Sequence, residues 1–201
     1  MRTLAIATAI LAILLPASGE AARGKVKRTG QATSFGALGD TTAGLTASYV
    51  DNGLGFVKDQ RTGLVWEKKS DDGSVHDRDN VYTWSTGDPW SATGTAFTVF
   101  LAALNTPPCF AGSCDWRLPT LNELETIRDI GTFWPATSSF FDTNCQPACS
   151  VTTCSCTKPA YYWSSSTLLS GGAWTVDFGY GNVIADTKTK TYSVRAVRSG
   201  W

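Results

Sequence analysis

The spacing of apolar residues changes along the chain, and these changes predict the order of strands and helices. Strand-like segments at Phe56–Asp59 and Leu64–Glu67, separated by a turn at 60–63, predict a β-hairpin. Residues 70–80 are polar and acidic and predict a surface loop. Between residues 91 and 105 the apolar positions recur at helical spacing, which predicts a helix with one buried stripe.

A second helix is predicted from its first residues. Thr120 and Glu123 form a capping box, in which the threonine hydroxyl accepts a hydrogen bond from the Glu123 amide and the glutamate carboxylate accepts one from the Thr120 amide. Leu121, Leu124 and Ile127 then give the helix its buried stripe. Gly131 is close enough to end it.

The C-terminal part predicts strands that follow a long loop. Residues 131–160 show little periodicity and contain four cysteines, so disulfide bonds are expected to hold them. Strands are predicted at 161–164, 173–178, 183–186 and 192–197. In the second of these, Trp174, Val176 and Phe178 alternate onto one face. The last strand is expected to pair near the first hairpin, which makes the fold α+β, with helices segregated from an antiparallel sheet.

The first residues have the three parts of a secretory signal peptide. Arg2 supplies a basic start, residues 4–15 form an apolar run, and small residues follow. The run is shorter than the roughly 20 residues of a membrane-spanning helix. We therefore predict a signal peptide at 1–19, a Gly/Ala/Thr-rich arm at 20–50 and one domain at 51–201. The mature chain is expected to have no membrane span and to be secreted, periplasmic or held at the cell surface.

Cysteine usage agrees with export. Six cysteines cluster in the second half of the chain, an even count that is typical of disulfides in an exported protein. Zinc is the alternative, but the spacings do not match its usual ligand patterns and the one histidine, His76, is distant in sequence. Cys109 is expected to bond Cys114. Cys154 and Cys156 are expected to pair with Cys145 and Cys149, in an order that the sequence leaves open.

The balance of charge argues against a general nucleic-acid-binding function. The chain carries 17 Lys and Arg and 17 Asp and Glu, whereas a nucleic-acid binder needs a basic face. Eight Trp, six Tyr and nine Phe instead indicate aromatic-rich packing, an aromatic binding surface, or both.

Several segments in this order carry a resemblance to a known family: DNGLGFVKDQRTGLVWEKK, YTWS, LNTPPCFAGSCDWRLPTLNEL, YYWSSST, AWTVDFGYGNV and SVRAVRSG. They resemble the Lcl C-terminal domain family, named for a Legionella collagen-like adhesin associated with attachment to sulfated glycans. The resemblance implies a C-type-lectin-like fold, with two helices packed on a small antiparallel sheet and binding on a loop-rich face. Collagen-type Gly-X-Y repeats are absent, so the adhesin's trimeric stalk does not carry over.

The DWRLPT segment has a structural interpretation and a functional one. Arg117 either contacts an anionic ligand or, as is more common for such arginines, pairs with a carboxylate such as Asp115 and fixes the entry to the second helix. Trp163 and Trp174, like Trp116, are expected in the core. The predicted structural motif comprises Trp116, Arg117, Pro119, Thr120 and Glu123.

No metal site or cofactor is predicted, with calcium as the alternative. The acidic loop offers oxygen ligands in Asp71, Asp72, Asp77, Asp79 and Asn80. It lacks EF-hand spacing. The tripeptides with which C-type lectins bind sugar through calcium are also absent.

Ligand-binding candidates come from the C-terminal strands and the loops before them. Tyrosine, serine and asparagine near turns are adaptable contact groups, and lysines add charge for an acidic glycan. The candidates are Lys158, Ser165, Ser166, Asp177, Tyr180, Asn182, Lys188 and Lys190. An ordinary polar edge is the alternative interpretation.

These observations predict an exported, non-catalytic binding module for adhesion or for glycan or surface-protein recognition. A structural component of the cell envelope or of an extracellular assembly is the second hypothesis. A third comes from RLPT-x-x-E, which also resembles the formylglycine-generating enzymes. Those oxidases need a reactive cysteine pair, which clustered and bridged cysteines do not favour.

Overall fold

A computed structural model of the chain describes residues 48–200. The predicted signal peptide and residues 20–47 of the predicted arm lie outside the described residues. Tyr49 and Val50, which the prediction assigns to the end of that arm, belong to the first strand.

Within residues 48–200, nine strands form three antiparallel sheets. The strands are β1 (Tyr49–Asp51), β2 (Phe56–Asp59), β3 (Leu64–Glu67), β4 (Tyr82–Thr83), β5 (Tyr161–Leu168), β6 (Gly172–Asp177), β7 (Val183–Thr187), β8 (Thr191–Tyr192) and β9 (Val197–Ser199). The sheet orders are β1-β2-β3-β9, β4-β8 and β5-β6-β7.

The predicted hairpin and its C-terminal partner are both confirmed. In β2 and β3, Val57 lies opposite Trp66, so both side chains enter the core. β9 pairs with β3 in antiparallel register, with Leu64 opposite Ser199. The beginning and the end of the described chain therefore meet in one sheet.

The described part of the chain contains two main helical segments, as predicted, but the first is shorter than expected. π-Helical residues Ala96–Leu101 continue into α1 (Ala102–Asn105), so the helix begins five residues after the predicted start at 91. α2 (Leu121–Ile127) begins at the complete Thr120–Glu123 capping box and ends at Ile127, before Gly131. Short 3₁₀ turns lie at Phe110–Gly112 and Ser139–Phe141. The antiparallel sheets and the two helices confirm the α+β class.

Two predicted strands differ from the structure. The segment 192–197 is not one strand, since β8 ends at Tyr192 and β9 begins at Val197. The residues between them include Arg195, whose guanidinium turns inward to bond backbone carbonyls. In β6 both faces are covered: Thr175 is as buried as Val176, and its hydroxyl donates to the Ile184 carbonyl, while Trp174 stays partly exposed.

The core formed by the described residues has two apolar clusters. One is built around Trp84, Phe100, Trp116 and Trp163, where α1 packs under the sheets. The other joins the four-stranded sheet to α2, β5 and β6 through Trp66, Leu124, Tyr162 and Val176, among others. Trp116 and Trp163 are core residues, as predicted.

Three disulfides brace the loops. Cys109 bonds Cys114, as predicted. The order that the sequence left open is Cys145 with Cys156 and Cys149 with Cys154. Both of the latter bonds hold the 131–160 loop, whose Phe141 is fully buried. All six cysteines of the chain are bridged, and none of the sulfurs is a zinc thiolate.

A charged core, formed by Glu67, Lys69, His76 and Arg195, lies between β3 and the segment that precedes β9. Glu67 is fully buried, and its Oε1 contacts Lys69 Nζ at 3.3 Å and His76 Nδ1 at 2.7 Å. Its Oε2 accepts from the Ala196 amide. Arg195 donates to the carbonyls of Glu67 and Cys156 and to the Thr157 hydroxyl. This cluster ties β3 to the segment before β9 and to the disulfide loop.

Candidate ligand-binding site

The turn between β6 and β7 is fastened to the loop that follows α2. The Trp134 amide donates to the Gly179 carbonyl at 3.0 Å, and the Ala136 amide donates to the Phe178 carbonyl at 2.6 Å. Arg128, at the end of α2, donates from Nη1 to the Gly181 carbonyl and pairs with Glu125. Two loops distant in sequence therefore form one surface.

Asp177 and Gly181 shape this turn. The Asp177 carboxylate accepts from the Gly179 amide at 2.7 Å, and its backbone pairs with Asn182 and Gly181. Gly181 has φ of 79°, in the region that favours glycine, and Ile130 lies 3.1 Å from where a Cβ would stand. This turn geometry directs the side chain of the preceding residue, Tyr180, toward the solvent.

Trp134 and Tyr180 form an exposed aromatic pair. Their ring centroids are 5.4 Å apart and their planes are tilted by 58°. Trp134 is 57% exposed and Tyr180 is 68% exposed. Ile130 and Phe133, from the same loop, are also exposed large apolar residues. Exposed apolar surface of this kind is typical of an interaction site.

A polar cleft of about 550 Å³ adjoins the aromatic pair through Trp134, and this volume is typical of small-ligand sites. Its lining comprises Arg78, Asp79, Trp134, Pro135, Asp142, Cys145, Thr157, Lys158 and Pro159. Lys158 Nζ lies 3.1 Å from an Asp79 carboxylate oxygen, and Arg78 Nη2 lies 3.2 Å from Asp71. Arg78 also donates to Cys145 Sγ. The cleft thus combines an aromatic wall with paired charges.

The acidic loop is less exposed than its composition predicts. Asp77 is buried, and its carboxylate accepts from the amides of Gly73 and Asp79. Carboxylate oxygens of Asp71, Asp77 and Asp79 lie within 4.8 Å of one another, so these three residues are the ones that could hold a cation. Asp72 instead accepts from the Ser70 hydroxyl, and the Asn80 side chain donates to the Ser74 carbonyl.

The predicted ligand-binding residues are spread over the β5-β6-β7 sheet: four lie at one end, two lie within β5 and two lie beyond the opposite end. Asp177, Tyr180 and Asn182 lie at the β6–β7 turn, and Lys158, just before β5, lies at the same end. Of these four, Lys158 and Tyr180 adjoin the cleft and the aromatic pair, and Asn182 is exposed nearby, while Asp177 is buried in the turn.

The remaining candidates do not share this surface. Ser165 and Ser166 are half-buried against the start of α2, where the Ser166 hydroxyl accepts from the Leu121 amide. Lys190 pairs with Asp186 at 2.9 Å beyond the far end of β7. Lys188 is buried, and its ammonium donates to the carbonyls of Trp90 and Ser170 and lies 4.1 Å from the ring centre of Trp84.

Lys188→Met is therefore expected to lower stability and leave ligand binding unchanged. The loss of two charged hydrogen bonds leaves both carbonyls without this donor, which predicts a cost of about 1–3 kcal/mol in the free energy of unfolding. Urea denaturation measures it. The matched Lys190→Met change, at an exposed ion pair, is expected to cost less than about 0.5 kcal/mol. Equal effects of the two changes would contradict this assignment.

The DWRLPT motif is structural in its contacts, but its ion pair differs from the predicted one. Arg117 forms a two-pronged pair with Glu123, at 2.8 and 2.7 Å, while Asp115 is exposed. The capping box already turns the Glu123 carboxylate back toward the helix start, which places it beside the guanidinium. Although partial burial opposes ionisation, Arg117 and the Thr120 amide hold the pKa of Glu123 below its usual value.

Two residues of the candidate site, Trp134 and Arg78, are not predicted by the sequence pattern. Trp134 stands in a stretch without periodicity, where only the Trp-Pro pair in a polar loop marks it. Arg78 lies in a segment rich in aspartate, and the composition of that segment indicates an acidic loop. The charged core was missed as well, although Glu67, Lys68 and Lys69 are consecutive charges directly after a predicted strand.

The fold and the candidate site together define a small disulfide-braced α+β domain whose loops carry an exposed aromatic pair and a polar cleft. The chain belongs to the Lcl C-terminal domain family, whose model matches residues 55–198. No curated protein matches the chain. Among residues 48–200, no helix has the length and apolar character needed to cross a membrane.

Proposed function

We propose that this protein is an exported, non-catalytic binding module that recognises glycans or glycan-bearing surfaces outside the cytoplasm. One observation carries the proposal: the exposed pair of Trp134 and Tyr180 beside a polar cleft. Tryptophan and tyrosine offer large, rigid contact area at low cost in side-chain entropy, which suits them to recognition.

The location and fold in this proposal rest on independent support. Three disulfides are stable in oxidising compartments, so they favour a secreted, periplasmic or cell-surface location. The four-stranded sheet in which β9 pairs with β3, together with loops that carry the candidate site, is compatible with the C-type-lectin-like fold that the family resemblance implies.

The non-catalytic part of the proposal has chemical support. An oxidase of the formylglycine-generating type needs a reactive thiol, and here all six cysteines are in disulfides. His76 Nδ1 lies 2.7 Å from Glu67 Oε1, and its ring packs on Phe110. The cleft supplies recognition groups in the form of paired charges and one aromatic wall.

A glycan array tests this proposal. The mature protein is expected to bind at least one glycan saturably, and Tyr180→Ala is expected to weaken that binding about tenfold, as for a contact residue near the centre of a site. Leu169→Ala is the matched control, because Leu169 is 87% exposed and lies at the opposite end of the sheet. Absence of binding across the array, or equal loss in both variants, would refute the proposal.

A further inference from the structure

The cations in the cleft are already neutralised by neighbouring carboxylates. Lys158 pairs with Asp79, and Arg78 pairs with Asp71 and lies 3.9 Å from Asp79. Asp142 adds a further carboxylate to the lining, where it accepts from the Thr157 amide. The cleft therefore has no excess of positive charge with which to attract or hold an anion.

The accessible groups of the cleft are instead suited to hydroxyl groups. The Asp79 side chain is 58% exposed, so its oxygens can accept further hydrogen bonds while they remain paired. Carboxylates accept several hydrogen bonds each, and the Lys158 ammonium has three donors, of which the ion pair uses only part. A polyhydroxylated ligand can add to this network without breaking it, whereas a sulfate or carboxylate would be repelled by Asp79 and Asp142.

The aromatic wall adds an apolar surface on the same side. Trp134 lines the cleft and also packs against the Tyr180 ring, so it forms the boundary between the polar and the aromatic parts. Its backbone is fixed by the Gly179 carbonyl, and its ring lies close to Gly179, 3.5 Å from where a Cβ would stand. The ring is thus held in place on one side and exposed on the other.

We propose that this site takes an uncharged glycan, with the apolar face of one sugar ring on Trp134 and its hydroxyl groups bonded to Asp79, Lys158 and Asp142. The inference deepens the proposed function and rests on it, because it names the ligand class of the same surface. It departs from the expectation of an acidic glycan, which relied on Lys158, Lys188 and Lys190. Lys158 is paired within the cleft, while Lys188 and Lys190 lie elsewhere.

Titration of the mature protein with two matched probe sets tests the inference. The first set contains neutral hexose and N-acetylhexosamine oligosaccharides, and the second contains sulfated or uronate forms of the same backbones. We expect the neutral forms to bind at least about tenfold more tightly than their anionic counterparts. Salt screens interactions between charges, and a neutral glycan brings no charge to the site. We therefore also expect the Kd of the neutral form to change less than about twofold between roughly 0.05 and 0.5 M NaCl.

Variants assign the binding to the site. Trp134→Ala is expected to weaken neutral-glycan binding about 10- to 100-fold. Trp134→Phe keeps a ring and is expected to recover part of that loss. Leu169→Ala, an exposed apolar control away from the cleft, is expected to leave the Kd unchanged. Circular dichroism and thermal unfolding establish that each variant is folded, and Tyr180→Ala replaces Trp134→Ala as the probe if the latter unfolds.

The outcomes separate this inference from the proposed function. Neutral binding that is insensitive to salt and lost in Trp134→Ala supports both. Preference for the sulfated or uronate forms, with affinity that falls steeply as salt rises, overturns the inference and leaves a glycan-binding function in place. Neutral binding unaffected by Trp134→Ala and Tyr180→Ala also overturns it, because the ligand then lies elsewhere. Lack of binding to either probe set overturns both proposals.

Discussion

Replacement of Glu67 by alanine is expected to destabilise the fold by about 3–5 kcal/mol, the typical cost of removing one partner from a buried ion pair. The carboxylate is fully buried and contacts Lys69, His76 and the Ala196 amide. Without it the Lys69 ammonium, itself buried, loses its counter-charge, and the amide loses its acceptor. Urea or thermal unfolding monitored by tryptophan fluorescence measures the change.

Two further variants make this first prediction specific. Glu67→Gln keeps the shape and an acceptor but removes the charge, so it is expected to fall between alanine and the native residue. Asp115→Asn removes an exposed carboxylate and is expected to change stability by less than about 0.5 kcal/mol. A cost below about 1 kcal/mol for Glu67→Ala would show that the charged core is not a stabilising connection.

Glu67 also predicts how the free energy of unfolding depends on pH. Burial alone would raise the pKa of Glu67, but Lys69, His76 and the Ala196 amide together hold it below its usual value. The folded state therefore binds fewer protons than the unfolded state, whose glutamate pKa is about 4.3. The contribution of Glu67 is complete above that pH and declines as the pH falls through the folded-state pKa. Glu67→Gln should flatten this acid limb of the stability curve.

Removal of the Cys145–Cys156 bond is expected to cost roughly 2–3 kcal/mol, the range for a disulfide that closes a short loop. Its effect should be concentrated in residues 131–160, because this bond and Cys149–Cys154 hold a segment with few buried side chains of its own. A Cys145→Ala/Cys156→Ala variant, studied by hydrogen exchange and by denaturation, provides the measurement.

The Cys109→Ala/Cys114→Ala variant is the matched control for the second prediction. Its bond closes a loop before α2, so residues 131–160 should keep their exchange protection. Mild reduction of the native protein should likewise raise exchange first in 131–160. Equal protection of this segment with and without reductant would contradict the prediction. Cys145 also lines the cleft, so its loss should weaken the ligand binding proposed here.

The parts of the fold that depend on neighbours in sequence were predictable. The capping box at Thr120 and the hairpin around residues 60–63 are set by local backbone chemistry, and both are confirmed. The first helical segment starts only at Ala96 because the Gly94 amide donates to the Trp84 carbonyl and holds the preceding chain in a loop, a contact that the apolar stripe does not reveal.

The parts that depend on distant contacts were not predictable. The sequence pattern indicates that Lys188 is a surface lysine. Its burial is not visible in the sequence, because the acceptors of its ammonium, the carbonyls of Trp90 and Ser170, are backbone groups from two other loops. The order of the two C-terminal disulfides likewise depends on how the loop folds back. Trp134 becomes a site residue only because its loop bonds to the β6–β7 turn. Lys158 and Tyr180 were placed near turns by composition, and the structure brings them to one end of the molecule.

The pairing of β9 with β3 has a consequence for how such a domain can be displayed. In the order β1-β2-β3-β9, Tyr49 and Ser199 lie at the same end of the sheet, three strand spacings apart, or about 14 Å. The first strand therefore begins, and the last strand ends, on the same side of the domain. A domain with this layout can be grafted into a loop of a larger scaffold, or strung in tandem, with both tethers leaving from one side and no strand pairing broken.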